Sequence, residues 1–151
     1  MGQANDETWL VVADAGRTRI FRTDAKLDTL TELKDEQHVQ VRMKTSELVS
    51  DRAGRVNTGG SVRSAYGAQT DPHENEELKV AHDLAAELHQ DLEQHRFAHL
   101  YLMASPVFLG RVRKELSPQV ARSIVATLNR DYTHHTVAEI REHARAHHAG
   151  K

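Results

Sequence analysis

Trp9-Leu10-Val11-Val12-Ala13-Asp14-Ala15-Gly16-Arg17-Thr18-Arg19-Ile20-Phe21-Arg22 is the stretch that decides the fold. Trp9–Ala13 is a short apolar run rich in β-forming residues. Asp14-Ala15-Gly16-Arg17 supplies turn residues. Thr18–Arg22 then returns with β-branched and aromatic content. Two such runs joined by a tight turn read as a β-hairpin.

The rest of the chain is read outward from that hairpin. A third extended region lies within Leu30–Met43; its sparse apolar positions suit an edge strand. Asp71-Pro72-His73-Glu74 is a helix start, with a capping residue, a proline in the first turn and an acid after it. Leu78, Ala81, Ala85, Leu88 and Leu92 recur at spacings of three and four, which gives one apolar face to a helix from about Pro72 to Gln94. His99–Ala104 reads as a buried strand. Ser105-Pro106 opens a second helix that runs to about Leu116, where Ser117-Pro118 breaks it. Val107, Leu109, Val112 and Leu116 are its expected sheet-facing residues. Ser123–Leu128 is a further strand. Thr136-x-x-Glu139 is a capping box for a last helix ending near His148. The order β-β-β-α-β-α-β-α implies an α/β protein, a mixed sheet covered by helices, in the order of the ribonuclease H-like class.

Composition sets the outer limits. A chain of 151 residues fits one domain over 1–151 with a core of its own. With 38% hydrophobic and 28% charged residues, a soluble and rather polar globular protein is expected. No apolar run approaches the roughly 20 residues that span a bilayer, so membrane insertion is not expected. The polar, acidic start MGQANDETW is unlike a secretory signal. The absence of cysteine excludes disulfides and thiolate chemistry and suits a reducing cytoplasm, the expected location. The formal net charge of −2 argues against indiscriminate nucleic-acid binding, but the charge is uneven. Residues 51–70 and 106–151 are basic, whereas residues 71–105 are acidic. Eleven histidines make the charge sensitive to pH near neutrality.

Between the third strand and the first helix, Ser50–Glu77 reads SDRAGRVNTGGSVRSAYGAQTDPHENEE and lacks apolar periodicity over its first twenty residues. A loop of that length in a compact domain usually binds something or is disordered. It is read as a long flexible loop over about 50–71. Arg52, Arg55 and Arg63 are suited to phosphate through their forked guanidinium groups. Gly59 and Gly60 let a backbone approach closely, with Ser61 beside them, and Tyr66 offers a face for base stacking. These seven residues form the candidate RNA- or anion-binding arm. The alternative is a surface loop whose arginines are solvated or paired with the acidic helix. Asn57-Thr58-Gly59-Gly60-Ser61 is no nucleotide P-loop, since the lysine is missing.

Other constellations are weaker. Asp14 stands at the end of the first strand, where ribonuclease H-like nucleases hold a metal, but such sites need several carboxylates, and Tyr101–Ala104 offers none. Asp14-x-Gly16-x-Thr18 is similar to a phosphate-binding hairpin of actin-like ATPases, though such residues are common in turns. His143 and His147 stand four apart, with His148, His134 and His135 near, a spacing open to zinc or nickel without a defined third ligand; a polar helix with histidines toward its negative end explains them as well. Asp71, His73 and Glu74 are likewise open to a metal, but capping already accounts for Asp71 and Glu74. Ser61 lacks a nucleophile elbow. Phe108–Lys114 combines an apolar face with Arg111, Arg113 and Lys114. No catalytic residue, metal or cofactor is assigned.

Four phrases resemble the host attachment protein family, proteins required for attachment to host cells. They are WLVVADAGRTRIFR, SDRAGR at Ser50–Arg55, DPHE at Asp71–Glu74, and SPVFLGRVRKEL at Ser105–Leu116. The resemblance runs from about Trp9 to Arg145. More distantly, the chain resembles the middle domain of archaeal and eukaryotic class I peptide-release factors and of Pelota. In the release factors a Gly-Gly-Gln loop supports hydrolysis of the peptidyl-tRNA ester. Here Gly59-Gly60 is followed by Ser61, and Gly67-Ala68-Gln69 is a different motif. That departure removes the residue that would carry release. The resemblance implies a ribosome- or tRNA-facing module without enzymatic activity. A hydrolase, esterase or phosphodiesterase, is the alternative. So is a protein-interaction or attachment factor, alone or as an oligomer.

Overall fold

A computed structural model describes residues 7–38 and 72–149, with side chains from 74 to 147 in the second stretch. The loop expected over about 50–71 lies outside these residues. The elements are β1 (Thr8–Asp14), β2 (Arg17–Thr23), β3 (Leu30–Gln37), α1 (Pro72–Glu93), β4 (His99–Ala104), α2 (Pro106–Glu115), α3 (Pro118–Ser123), β5 (Ile124–Leu128) and α4 (Val137–Ala149). The sheet runs β3-β2-β1-β4-β5. β2 is antiparallel to both β1 and β3, and β4 is parallel to both β1 and β5. This is the expected α/β architecture with a mixed five-stranded sheet.

The order follows from burial. β1 and β4 carry the longest apolar runs and take the positions buried on both faces. β3, with Glu32, Lys34, Asp35 and Glu36, can only be an edge, and its charges guard that edge against further pairing. Alternation along β1 divides the core. Trp9, Val11 and Ala13 face α1, α2 and α3, whereas Leu10 and Val12 face Ile140 and Ala144 of α4.

Three local expectations need correction. Leu78 is 40% exposed, and Leu84 takes its place beside Ala81, Ala85 and Leu88. A period of 3.6 drifts along a helix of six turns, so the first turn of the apolar stripe leaves the sheet. In α2, Val107 is 66% exposed and Phe108 is buried with Leu109 and Val112. Ser117-Pro118 ends one helix and also begins another. Ser117 Oγ accepts from the Val120 N–H at 3.3 Å and Pro118 opens α3, because proline is at home in a first helical turn.

Ser105 starts α2 without a side-chain capping bond, whereas two other helix ends are closed. The Thr136–Glu139 capping box is present, with Thr136 N–H donating to Glu139 Oε1 at 2.9 Å and Glu139 N–H to Thr136 Oγ1 at 3.1 Å. α1 closes in a Schellman turn, in which Arg96 N–H reaches Asp91 O and His95 N–H reaches Leu92 O, both at 2.9 Å. His95 holds the left-handed conformation, φ 60°, that glycine usually supplies there. The turn brings Phe97 against Trp9, ring centroids 4.9 Å apart. Leu88→Ala should cost about 2–5 kcal/mol of stability, and Leu78→Ala less than about 1 kcal/mol. Urea unfolding of the two variants checks this division of the helix.

Candidate functional site

The polar groups that the fold brings together lie at the carboxyl end of β1. Asp14 is the last residue of that strand, and its Oδ1 accepts from the Gly16 N–H at 2.7 Å, closing the hairpin turn. Its Oδ2 lies 2.8 Å from Thr133 Oγ1. The same hydroxyl lies 2.8 Å from Asp131 Oδ1, which also accepts the Thr133 N–H at 3.0 Å. Thr133 is fully buried. One hydroxyl proton cannot serve two carboxylates, so the arrangement favours a shared proton on the pair. Burial, then Asp131 beside it, pushes the Asp14 carboxyl above its ordinary value. Burial also opposes ionisation of Asp131, but the N–H and hydroxyl of Thr133 overcome it and hold that carboxyl below its ordinary value. Below the raised Asp14 pKa, a protonated Asp14 donates to Thr133 Oγ1 while Thr133 donates to an ionised Asp131.

Arg19 holds this arrangement in place. It is only 6% exposed. Its Nη1 donates to Thr133 O at 3.1 Å and His135 O at 2.8 Å, and its Nε donates to Glu32 Oε2 at 2.8 Å. The guanidinium also lies 5.2 Å from the Phe21 ring centroid. A buried charge is tolerable only when it is paired and its donors are used, and here the pairing ties the β5–α4 connection to β2 and β3. At the same end, Thr18 Oγ1 is 2.8 Å from His38 Nε2, and His38 N–H donates to Gly16 O at 2.9 Å. Burial holds the His38 imidazole below its ordinary pKa, favouring the neutral ring. The segment 39–71 departs from this point.

The structure sorts the sequence candidates. Arg52, Arg55, Gly59, Gly60, Ser61, Arg63 and Tyr66 lie outside the described residues, as do Asp71 and the side chains of His73 and His148. In the Asp14-x-Gly16-x-Thr18 hairpin, the Gly16 amide is taken by Asp14 and the Thr18 hydroxyl by His38. His143 stacks on Tyr132 with centroids 4.5 Å apart, and His135 meets Tyr132 edge-on at 4.9 Å. No group of three or more metal-ligating side chains occurs among the described residues. Arg111 pairs with Glu77 and, at 3.5 Å, with Glu74 of α1. Arg113, Lys114, Arg122 and Arg130 are exposed, and no side-chain partner engages them among the described residues. Arg17, Arg22, Lys34, Lys79 and Arg145, by contrast, all hold acids.

Sequence reasoning missed Asp131, Thr133, His38 and the role of Arg19. Asp131-x-Thr133 carries the local signal of an Asx turn, but its meeting with Asp14 depends on topology.

The sign of the pH effect at Asp14 follows from its raised pKa. The folded protein holds this proton to higher pH than the unfolded chain does, so ionising Asp14 above its folded pKa subtracts from stability. Asp14→Asn should therefore raise Tm by a few degrees at pH 7. That advantage should shrink as pH falls and the native carboxyl takes up its proton. Paired thermal melts of wild type and variant from acid to neutral pH check this.

No curated protein matches this chain closely enough to count as a relative. The family described as "Protein required for attachment to host cells" matches residues 9–144, nearly the whole sequence, and the chain belongs to that host attachment family.

Proposed function

We propose that this member of the host attachment family is a non-enzymatic binding module for RNA, ribosomal RNA or tRNA, working in the cytoplasm. The observation that carries the proposal is the division of the basic side chains. Those on β2 and β3, and Arg145 of α4, are spent on acids within the fold. Arg113 and Lys114 at the end of α2, Arg122 on α3 and Arg130 after β5 have no acid partner among the described residues. Four uncompensated bases within residues 113–130, against Lys26 and Arg141 elsewhere without an acid partner, fit the footprint of a polyanion. The arginines at 52, 55 and 63 add to the same proposal from the sequence. The release-factor likeness is part of it as well, resting on Gly59-Gly60 and the order of the elements. The helix dipole also favours bases at the end of α2, but it does not account for Arg130.

Sedimentation of a tRNA or ribosome mixture across a salt series tests this reading. Wild type should bind at low salt and release as salt rises. Arg52→Ala/Arg55→Ala/Arg63→Ala and Arg113→Ala/Lys114→Ala/Arg122→Ala should each bind more weakly with a shallower slope. Wild type that fails to bind at low salt would overturn the reading.

The Asp14–Thr133–Asp131 arrangement favours a second reading, a hydrolase. Two carboxyls whose environments push them apart suit an acid and a base. Asp14 would be the acid and Asp131 the base, acting on an ester or phosphodiester. Hydrolysis of p-nitrophenyl acetate or bis(p-nitrophenyl) phosphate that Asp14→Asn reduces at least tenfold would support it. Equal turnover by both proteins would remove it.

A further inference from the structure

A cavity of about 520 Å³ opens at the other end of the sheet, between β1–β3 and the last turns of α1. Its volume falls in the range of small-molecule sites. Trp9 and Ile20 are its buried apolar surface, and Leu33, 42% exposed, is its apolar rim. Lys34 crosses from β3 to Glu87 of α1, with Nζ at 2.7 and 2.8 Å from the two carboxylate oxygens. Arg22 holds Glu7 at 2.6 Å.

The third acid lining the cavity is different. Asp91 has only 16% of its side chain exposed, and its nearest cation, Arg96 Nε, stands 3.7 Å away. That distance is too long for a hydrogen bond, and Arg96 Nε instead donates to Gln94 Oε1 at 3.1 Å. No donor among the described residues reaches the Asp91 carboxylate. Burial, followed by the nearby Glu87, pushes its pKa above the ordinary value. An anionic ligand would have to displace Glu7 or Glu87 from its base and lie beside Asp91. A cation meets only Arg96, which is 60% exposed and holds Asp91 without a hydrogen bond, and supplies the donor that Arg96 does not.

We propose that this cavity binds a small organic cation, a primary ammonium or guanidinium on an apolar stem, with its charge on Asp91 and its stem against Trp9, Ile20 and Leu33. The site is independent of the RNA reading, since it lies at the amino end of β1, remote along the strand from Asp14. The cation is either a free amine or the side chain of a lysine presented by a protein.

Trp9 is the sole tryptophan and lines the cavity, so its fluorescence reports occupancy, with calorimetry as the second readout. Phenethylamine should bind saturably with Kd on the order of 1 mM or tighter. Phenylacetate, with the same ring and the opposite charge, should bind at least tenfold more weakly. Asp91→Asn, which keeps shape and removes charge, should weaken phenethylamine at least tenfold. Leu33→Arg at the exposed rim should abolish binding by placing a tethered cation in the cavity. Nα-acetyl-lysine amide separates the sources: tighter binding than phenethylamine assigns the site to a partner's lysine, and weaker binding assigns it to a free amine. Phenethylamine and phenylacetate of equal affinity, unchanged binding by Asp91→Asn, or no saturation below about 10 mM would each overturn the proposal.

Discussion

The guanidinium of Arg19 is the constraint on which the carboxyl end of the sheet depends. It enters from β2, turns under the β5–α4 connection, and donates to the carbonyls of Thr133 and His135 while Glu32 of β3 balances its charge. Three parts of the chain far apart in sequence are fixed by one side chain. Lysine could not do this, because it lacks the rigid fork that serves two carbonyls and a carboxylate together. The consequence is local order at Thr133, whose hydroxyl is then held between Asp14 and Asp131. Remove the charge of Arg19 and Glu32 is left part-buried without its partner, with two backbone carbonyls needing new donors.

The fold was legible because hydrophobic pattern and turn chemistry agree along most of the chain. Trp9–Ala13 and His99–Ala104 announce central strands by their apolar runs. Leu30–Gln37 announces an edge by its charges. Thr136 and Glu139 announce a helix start. Errors arose where a local signal has two meanings. Ser117-Pro118 both stops and starts helices. The position of Leu78 in a regular spacing says nothing about where the sheet ends beneath the helix. The site was less legible because its members meet only through topology. Asp14 was visible as a strand-end acid, but its partners come from a turn beyond β5, and a buried arginine looks in sequence like any other base. The arm from Arg52 to Tyr66 was legible as composition only, since nothing in its pattern fixes a conformation.

Asp14 and Asp91 pose the same physical question at opposite ends of the sheet. Each is a carboxyl held partly out of water with its pKa raised by burial first and by a neighbouring acid after it. They answer it differently. Asp14 has donors and a second carboxyl with which to share a proton, so its cost is reduced within the fold. Asp91 has only a loose ion pair with Arg96, 3.7 Å away and without a hydrogen bond, so its charge is open to a cation from outside. Groups that lower stability where they stand mark sites of function more often than groups that only stabilise. By that criterion the two carboxyls have different uses. The shared proton at Asp14 suits a site that moves or holds a proton, and the loosely paired charge at Asp91 suits one that receives a cation. The sheet between them keeps the two apart, because β1 is buried from Thr8 to Ala13 and its run Trp9–Ala13 is wholly apolar.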